Sequence, residues 1–182
     1  MARNKWILDP THSEIQFKVK HLMISTVTGS FRKFDLTAST DDDDFTQMQD
    51  VVFTIDTDSV DTNNEQRDGH LKSADFFNSE EYGQIKFSCT AYHGSSEAGK
   101  LTGNLTIRDT TKEVTVNMEL GGTVVDPYGQ TKAGFTIEGK ISRKEFGLTW
   151  GAVTEAGNVV VGDEVKFFGE IQLIKQVEIL AG

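Results

Sequence analysis

The chain has 182 residues, a formal net charge of -10 and a single cysteine. Its length predicts one domain spanning residues 1–182, and a composition of 25% charged and 37% apolar residues is unlike a disordered chain or an integral membrane protein. The acidic balance argues against nucleic acid as a partner, and one cysteine excludes an intramolecular disulfide.

The amino-terminal residues, MARNKWILDP, show no export signal, and no run of about 18 apolar residues occurs anywhere. We therefore expect a cytoplasmic protein without stable membrane insertion. A periplasmic location would follow only if a leader has been removed from the sequence.

The first predicted strand is EIQFKVKH, where Ile15, Phe17 and Val19 lie on one side and charged or polar residues on the other. A period of two indicates a half-buried strand and not an amphipathic helix. The same alternation returns at residues 51–55, 85–91, 101–107, 114–120, 133–141 and 165–173.

Four consecutive aspartates occupy residues 41–44, and carboxylates in such number are what a calcium ion binds. Adjacent side chains point in diverging directions, however, and the alternate-position spacing and turn glycine of a calcium loop are missing. A solvated hairpin tip is therefore the favoured interpretation.

Turn-forming residues separate the predicted strands at residues 94–99, 108–111, 126–129 and 162–163. The main exception to the alternation is residues 62–82, a polar segment that could hold a short helix near residues 64–71. The overall pattern is that of an antiparallel meander.

Roughly eight such strands can bury one face each as a sandwich or as a closed barrel. We favour closure, because residues 112–125 would span about 40 Å, a length that suits a tilted barrel strand. Gly103, Gly139 and Gly169 at strand positions fit a tightly curved sheet or a closely approaching ligand, or else mark bulges. The predicted fold is an all-β, extended antiparallel up-and-down barrel.

Motifs for catalysis or metal binding are missing. The four histidines show no metal-binding spacing, Cys89 has no nearby partner, and neither a nucleophile motif nor a phosphate-binding loop occurs. We therefore predict no metal, no cofactor and no catalytic residue. His21 continues the inward-facing set of Phe17 and Val19, either as a hydrogen-bonded core histidine or as a ligand contact.

The segment RDGHLKSADFF, residues 67–77, concentrates the remaining chemistry and leaves three interpretations open. Asp68 and His70 could orient one another in a small-molecule enzyme. Alternatively, Arg67 pairs with a carboxylate while Phe76 and Phe77 plug the barrel end. In the third, a cationic side chain at a barrel mouth meets the polar head of a ligand.

Five segments together resemble the YceI family of polyisoprenoid-binding, lipocalin-like proteins. They are WILDPTHSEIQFKVKHL, VTGSFRKF, RDGHLKSADFF, LTGNLTIRDTTKEV and ISRKEFGL, in an order and spacing that run from about residue 6 to residue 174. The resemblance implies an extended barrel that holds a long apolar chain, such as an isoprenyl diphosphate or an isoprenoid quinone tail, for storage or transport. It also implies a homodimer and no uniform enzyme activity.

Pattern and resemblance agree on a tubular ligand site. The predicted lumen residues are Phe17, Val19, His21, Phe31, Phe53, Phe87, Leu105, Val116, Phe135 and Phe167, and the predicted mouth residues for a polar head are Arg67, His70, Phe76, Phe77 and Arg143. An enzyme acting at the mouth around Asp68 and His70 is the alternative function, and a barrel filled by its own phenylalanines is a third possibility.

Overall fold

The structure is a computed structural model that describes residues 3–151 and 160–176. Its strands are β1 (Arg3–Leu8), β2 (Glu14–His21), β3 (Ser25–Phe31), β4 (Phe34–Asp41), β5 (Asp44–Asp56), β6 (Val60–Asp61), β7 (Gln84–Gly94), β8 (Ala98–Ile107), β9 (Thr110–Val125), β10 (Thr131–Ser142) and β11 (Val161–Lys175). One α-helix, α1 (Glu65–Lys72), follows β6, and short 3-10 turns lie at Pro10–His12, Thr57–Ser59 and Lys144–Phe146.

The strands form a closed antiparallel barrel with eight strand positions. β1 and β2 are two halves of one bent strand, since β1 pairs with β4, β2 pairs with β3, and both also pair with β11. From β4 onward the larger strands pair with their neighbours in sequence, and β1 closes the ring on β11 through Ile7 and Ile174. The predicted all-β up-and-down barrel is confirmed.

The break between β1 and β2 has a chemical cause. Pro10 cannot donate to a sheet ladder, and the Asp9 side chain accepts a hydrogen bond from the Thr11 backbone N–H at 3.2 Å. Asp9 is buried and also accepts from Lys132 at 2.9 Å and contacts His12 Nδ1 at 2.8 Å. This carboxylate therefore fastens the turn to the first residues of β10.

Burial alone would raise the pKa of Asp9. The hydrogen bonds from Lys132, His12 and Thr11 outweigh that effect and hold the pKa well below its usual value. The hydrogen bond to Asp9 also raises the pKa of Lys132, so both groups stay charged across the neutral range.

The end of the barrel near β1 is packed with aromatic rings. Trp6 is fully buried, donates from Nε1 to the hydroxyl of Thr40 at 2.9 Å and lies 4.9 Å from the ring of Phe45. Phe45 in turn meets Phe135 edge-on at 4.8 Å. Such pairs add to the stability that burial already gives.

The predicted helix near residues 64–71 is confirmed as α1. Asn64 caps it by accepting from the Arg67 backbone N–H at 3.0 Å. The chain then turns back, with the Phe77 N–H donating to the carbonyl of Leu71 at 2.9 Å. Phe76 is buried and Phe77 half-buried, which fixes the helix against one end of the barrel. Among the described residues, the structure contains no helix with the length and hydrophobicity to cross a membrane.

One predicted turn is wrong. Gly162 and Asp163 lie inside β11, which begins at Val161. Asp163 accepts from the Ser142 hydroxyl and, at 2.9 Å, from the Lys144 backbone N–H. It therefore stabilises the end of β10 and does not form a turn. The turns between β8 and β9 and between β9 and β10 lie where they were predicted, and residues 42–43 form the predicted hairpin tip between β4 and β5.

The strand glycines make room for large side chains on adjacent strands. Gly139 pairs with Phe167, and a β-carbon on Gly139 would lie 2.6 Å from Cζ of that ring. Gly169 pairs with Ile137 in the same way, at 2.8 Å from Cγ1. The β10–β11 register is unbroken at both pairs, so the bulge interpretation is wrong for these two glycines. Gly103 lies opposite Cys89, where the β7–β8 register does shift.

Candidate functional site: the lumen and its mouth

The barrel encloses a cavity of about 640 Å³. The inward faces of the strands carry apolar side chains, and these side chains line its wall. All ten predicted lumen residues border it: Phe17, Val19, His21, Phe31, Phe53, Phe87, Leu105, Val116, Phe135 and Phe167. The interpretation of a lumen filled completely by its own phenylalanines is therefore wrong.

The mouth of the cavity is formed by α1, the end of β2 and the segment at residues 143–151. Aromatic rings surround it: Phe31 and Phe77 lie 5.8 Å apart, and Phe76 and Trp150 lie 5.4 Å apart. The predicted mouth residues Arg67, His70, Phe76, Phe77 and Arg143 all border the cavity. Their contact with a ligand remains a prediction.

His21 lies at the last position of β2 and is exposed. The interpretation of His21 as a core histidine is therefore wrong, because the inward face of β2 reaches the open end of the barrel there. Val19 and Phe17, further down the same face, are half-buried and line the cavity wall.

Arg143 is buried, and four backbone carbonyls hold its guanidinium group. Nε donates to Gly162 at 2.8 Å, Nη1 donates to Leu148 and Trp150 at 3.0 and 3.1 Å, and Nη2 donates to Val161 at 3.0 Å. Burial lowers the pKa of Arg143, and the charge of Asp163 partly opposes that effect. The hydrogen bonds of Arg143 are therefore mainly structural, because they hold the mouth segment at residues 143–151 in place.

Arg67 is exposed and is held at one side by Thr62. Its Nε donates to the Thr62 hydroxyl at 2.8 Å and its Nη2 to the Thr62 carbonyl at 2.7 Å. Within the described part of the chain no carboxylate pairs with Arg67, so the interpretation of Arg67 as half of a structural ion pair finds no partner there. None of the described residues accepts a hydrogen bond from Nη1, which carries two N–H groups.

The pairing of Asp68 with His70 is also wrong. Asp68 accepts from the Thr62 backbone N–H at 2.8 Å and from the Thr62 hydroxyl, whereas His70 Nε2 contacts Asp75 at 2.9 Å. His70 also packs edge-on against Trp150 at 4.4 Å. The acid–base arrangement behind the enzyme alternative is therefore not formed.

The described residues provide neither a cluster of metal ligands nor a reactive thiol. Residues 3–151 and 160–176 contain no cluster of three or more metal-binding side chains. Burial raises the pKa of the half-buried Cys89 thiol, which keeps it protonated at neutral pH.

Several cavity-lining residues escaped the sequence reasoning. Val27 and Met48 lie on strands whose alternation is weak, and Trp150 and Leu148 lie in an irregular segment with no periodicity at all. Only the motif ISRKEFGL pointed to that segment.

The chain matches the YceI-like domain over residues 6–173. It is 38% identical to a UPF0312 protein of Staphylococcus epidermidis over 164 residues, which cover 90% of this chain and 93% of that protein. A UPF0312 protein of Staphylococcus aureus is 38% identical over 160 residues, or 87% of this chain and 91% of that one.

Solved structures share the barrel. The Campylobacter jejuni YCEI protein superposes with a TM-score of 0.74 at 31% identity and covers 93% of this chain and 97% of its own. BcnA of Burkholderia cenocepacia gives 0.78 at 23% identity, with 91% and 98% covered. A polyisoprenoid binding domain from Saccharophagus degradans gives 0.68 at 14% identity, with 94% and 98% covered, a likeness of fold alone.

Proposed function

Because the chain belongs to the YceI-like family, we propose that it binds a long apolar ligand in the barrel lumen, for storage or transport. A polyisoprenoid such as an isoprenyl diphosphate, or the tail of an isoprenoid quinone, is the ligand class we propose. One structural neighbour is a polyisoprenoid binding domain, which supports that class.

The observation that carries the proposal is the cavity itself. Its volume of about 640 Å³ lies within the range of small-molecule sites, roughly 300–1,000 Å³. Aliphatic and aromatic side chains from many of the strands form most of its wall. Each methylene group that leaves water for such a wall contributes about 0.8 kcal/mol before the cost of ordering the chain. A long hydrocarbon tail gains most from this arrangement.

We place the polar head of the ligand at the mouth, beside Arg67. Among residues 3–151 and 160–176 nothing accepts from Nη1 of Arg67, whereas most of the donors of Arg143 are already bonded to carbonyls. His70, Phe76 and Phe77 would surround the junction between head and tail. This assignment rests on charge and position.

The experiment uses one substitution that fills the lumen. Leu105 faces the cavity and is half-buried, so Leu105→Trp should lower the amount of hydrophobic compound that native mass spectrometry or solvent extraction finds with the purified protein. Asn104 is exposed on the outer face of the same strand, and Asn104→Trp is the matched control.

We expect wild type and Asn104→Trp to carry the ligand and to bind added prenol alike, and Leu105→Trp to bind it at least about tenfold more weakly. In the same titrations, Arg67→Ala should weaken binding of a prenyl diphosphate but not of the neutral prenol. Wild-type protein that carries no hydrophobe and binds no prenol would refute the proposed function.

We also propose that the protein is a homodimer that works in the cytoplasm. The location rests on the sequence alone. An exposed strand edge at the end of β9 supports the dimer.

A further inference from the structure

The rim of the mouth carries an exposed apolar tip. Leu22, Met23 and Ile24 connect β2 to β3, and their exposed fractions are 42%, 59% and 84%. Leu22 and Met23 hold φ angles of 50° and 59°, a left-handed conformation that glycine or asparagine adopts more easily. Three large apolar side chains exposed to water at one turn are typical of a surface that contacts a partner or a membrane.

The tip is joined directly to the other side of the mouth. The Leu22 N–H donates to the Val160 carbonyl at 2.7 Å, and the Val160 N–H donates to the Gly151 carbonyl at 3.1 Å. Trp150, with 40% of its surface exposed, is the next residue and borders the cavity. The tip and Trp150 are therefore joined through these backbone hydrogen bonds at one edge of the opening, and together they form an apolar rim there.

A row of lysines lies on the outer wall just below this rim. Lys18 on β2 pairs across the sheet with Lys166 on β11, which pairs with Lys140 on β10. Lys20 lies two residues closer to the tip on the same face as Lys18. All four are exposed, and among the described residues Glu164 is the acidic side chain within 4.0 Å of Lys140 and Lys166.

Like charges placed directly across a sheet destabilise it, and the chain as a whole has a net charge of -10. A basic row on an acidic molecule, beside an apolar tip, matches the two attractions that hold a peripheral protein on an anionic bilayer. Apolar side chains enter the boundary of the acyl chains, and nearby lysines meet the anionic headgroups.

We propose that this rim docks on an anionic phospholipid surface. The tip, residues 22–24, and Trp150 enter the interface, and Lys18, Lys20, Lys140 and Lys166 face the headgroups. Docking in this pose places the opening of the lumen against the bilayer, so that an apolar ligand moves between membrane and barrel without crossing water. This partner rests on the proposed function, since it gives the lumen its source of ligand.

The test is flotation with vesicles of phosphatidylcholine, with and without phosphatidylglycerol. Wild type should bind the vesicles that contain phosphatidylglycerol, and added salt should weaken that binding. Ile24→Asp should lower the partition coefficient about tenfold, and Lys166→Gln should lower it about fivefold, on the anionic vesicles only. Bromine-labelled acyl chains should quench part of the tryptophan emission, because Trp150 lies at the rim while Trp6 is buried.

Two matched variants serve as controls. Tyr128 is 90% exposed in the β9–β10 turn, and Lys100 is exposed on β8. Tyr128→Asp and Lys100→Gln repeat the same changes of charge away from the rim, and both should bind vesicles like wild type. Equal losses in these controls and in the rim variants would overturn the proposal.

A second copy of the chain is the competing occupant of the tip. If Ile24→Asp turns a dimer into a monomer in light scattering, and wild type ignores both kinds of vesicle, the docking proposal is wrong. Prenol binding measured without vesicles separates the docking proposal from the proposed lumen function. Ile24→Asp should bind prenol like wild type. A wild type that binds vesicles through the rim but takes up no prenol would refute the lumen function and leave the docking intact.

Discussion

Asp9 is a buried charged residue that links two parts of the fold outside the lumen. It is buried, it receives hydrogen bonds from Lys132 and Thr11 and contacts His12, and it links the break in the first strand to β10. Since these partners keep it ionised, its carboxylate stabilises the folded state only while it carries its charge.

Asp9→Asn should therefore reduce the free energy of unfolding at pH 7 by about 2 kcal/mol. The pKa of Asp9 is lower in the folded state than its unfolded value of about 3.9. Its contribution is thus complete above that value and is lost as the pH falls below it, so the difference between wild type and variant should shrink at pH 3. Urea denaturation at both pH values measures it.

Asp50 provides the control for this prediction. It is an exposed aspartate whose partner, Arg3, lies 3.2 Å away at the surface, and exposed ion pairs contribute little to stability. Asp50→Asn should unfold like wild type at both pH values. A pH-independent loss in Asp9→Asn would mean that packing, and not charge, is what Asp9 supplies.

At the scale of elements, strands β10 and β11 depend on the absence of a side chain at Gly139. The ring of Phe167 occupies the space where a β-carbon would lie. Gly139→Ala should lower the free energy of unfolding by about 2 kcal/mol because the ring must move. Thermal or urea unfolding measures the loss.

Gly134 lies on the same strand, and nothing occupies the space within 4 Å of its would-be β-carbon. Gly134→Ala should change stability by less than about 1 kcal/mol. Phe167→Leu should reduce the cost of Gly139→Ala in a double-mutant cycle. Equal costs at both glycines would show that strand geometry, and not the ring, decides the effect.

Period-two alternation depends only on residue type, and it identified most of the longer strands. It missed β4, where the inward positions Phe34 and Leu36 are followed by Ala38 and Thr40, which are nearly or fully buried. Thr40 can lie in the core because its hydroxyl donates to the Asp42 carbonyl at 2.6 Å and accepts from Trp6, on another strand, at 2.9 Å. The partner Trp6 is distant in the chain and leaves no local pattern.

Only part of the mouth could be predicted, because distant hydrogen-bond partners leave no local pattern there either. Arg67 and His70 lie on a helix with a recognisable cap, so their common location could be predicted. Their hydrogen-bond partners, Thr62 and Asp75, could not, because several acceptors lie within a few residues of each. Trp150 depends on a bond from the buried Arg143 to its carbonyl, which no periodicity reveals.

For the whole molecule, the end of β9 is the feature that bears on assembly. β8 pairs with β9 only up to Glu119, so within the described residues the outer edge of residues 121–125 has no partner strand. Val124 and Val125 there are 64% and 68% exposed. An exposed apolar edge is a template for pairing with another chain.

We therefore expect two copies to pair through this edge. Wild type should have the mass of a dimer in light scattering, and Val124→Lys should be monomeric at the same concentration, because lysine disfavours edge pairing. Tyr128→Lys, in the adjacent turn, should remain dimeric. A monomeric wild type, or a dimer that survives Val124→Lys, would rule out this interface.

The pairing of β1 with β11 also determines when the barrel can close during synthesis of the chain. Trp6 pairs with β4 and with Lys175 of β11, so its strand cannot be complete on both sides until residue 175 has been synthesised. At about 5–20 residues per second, the nascent barrel stays open along one seam for roughly ten seconds or more. During that interval the apolar lumen is accessible to chaperones, and the pairing of β11 with β1 ends the period in which the open barrel can misassociate.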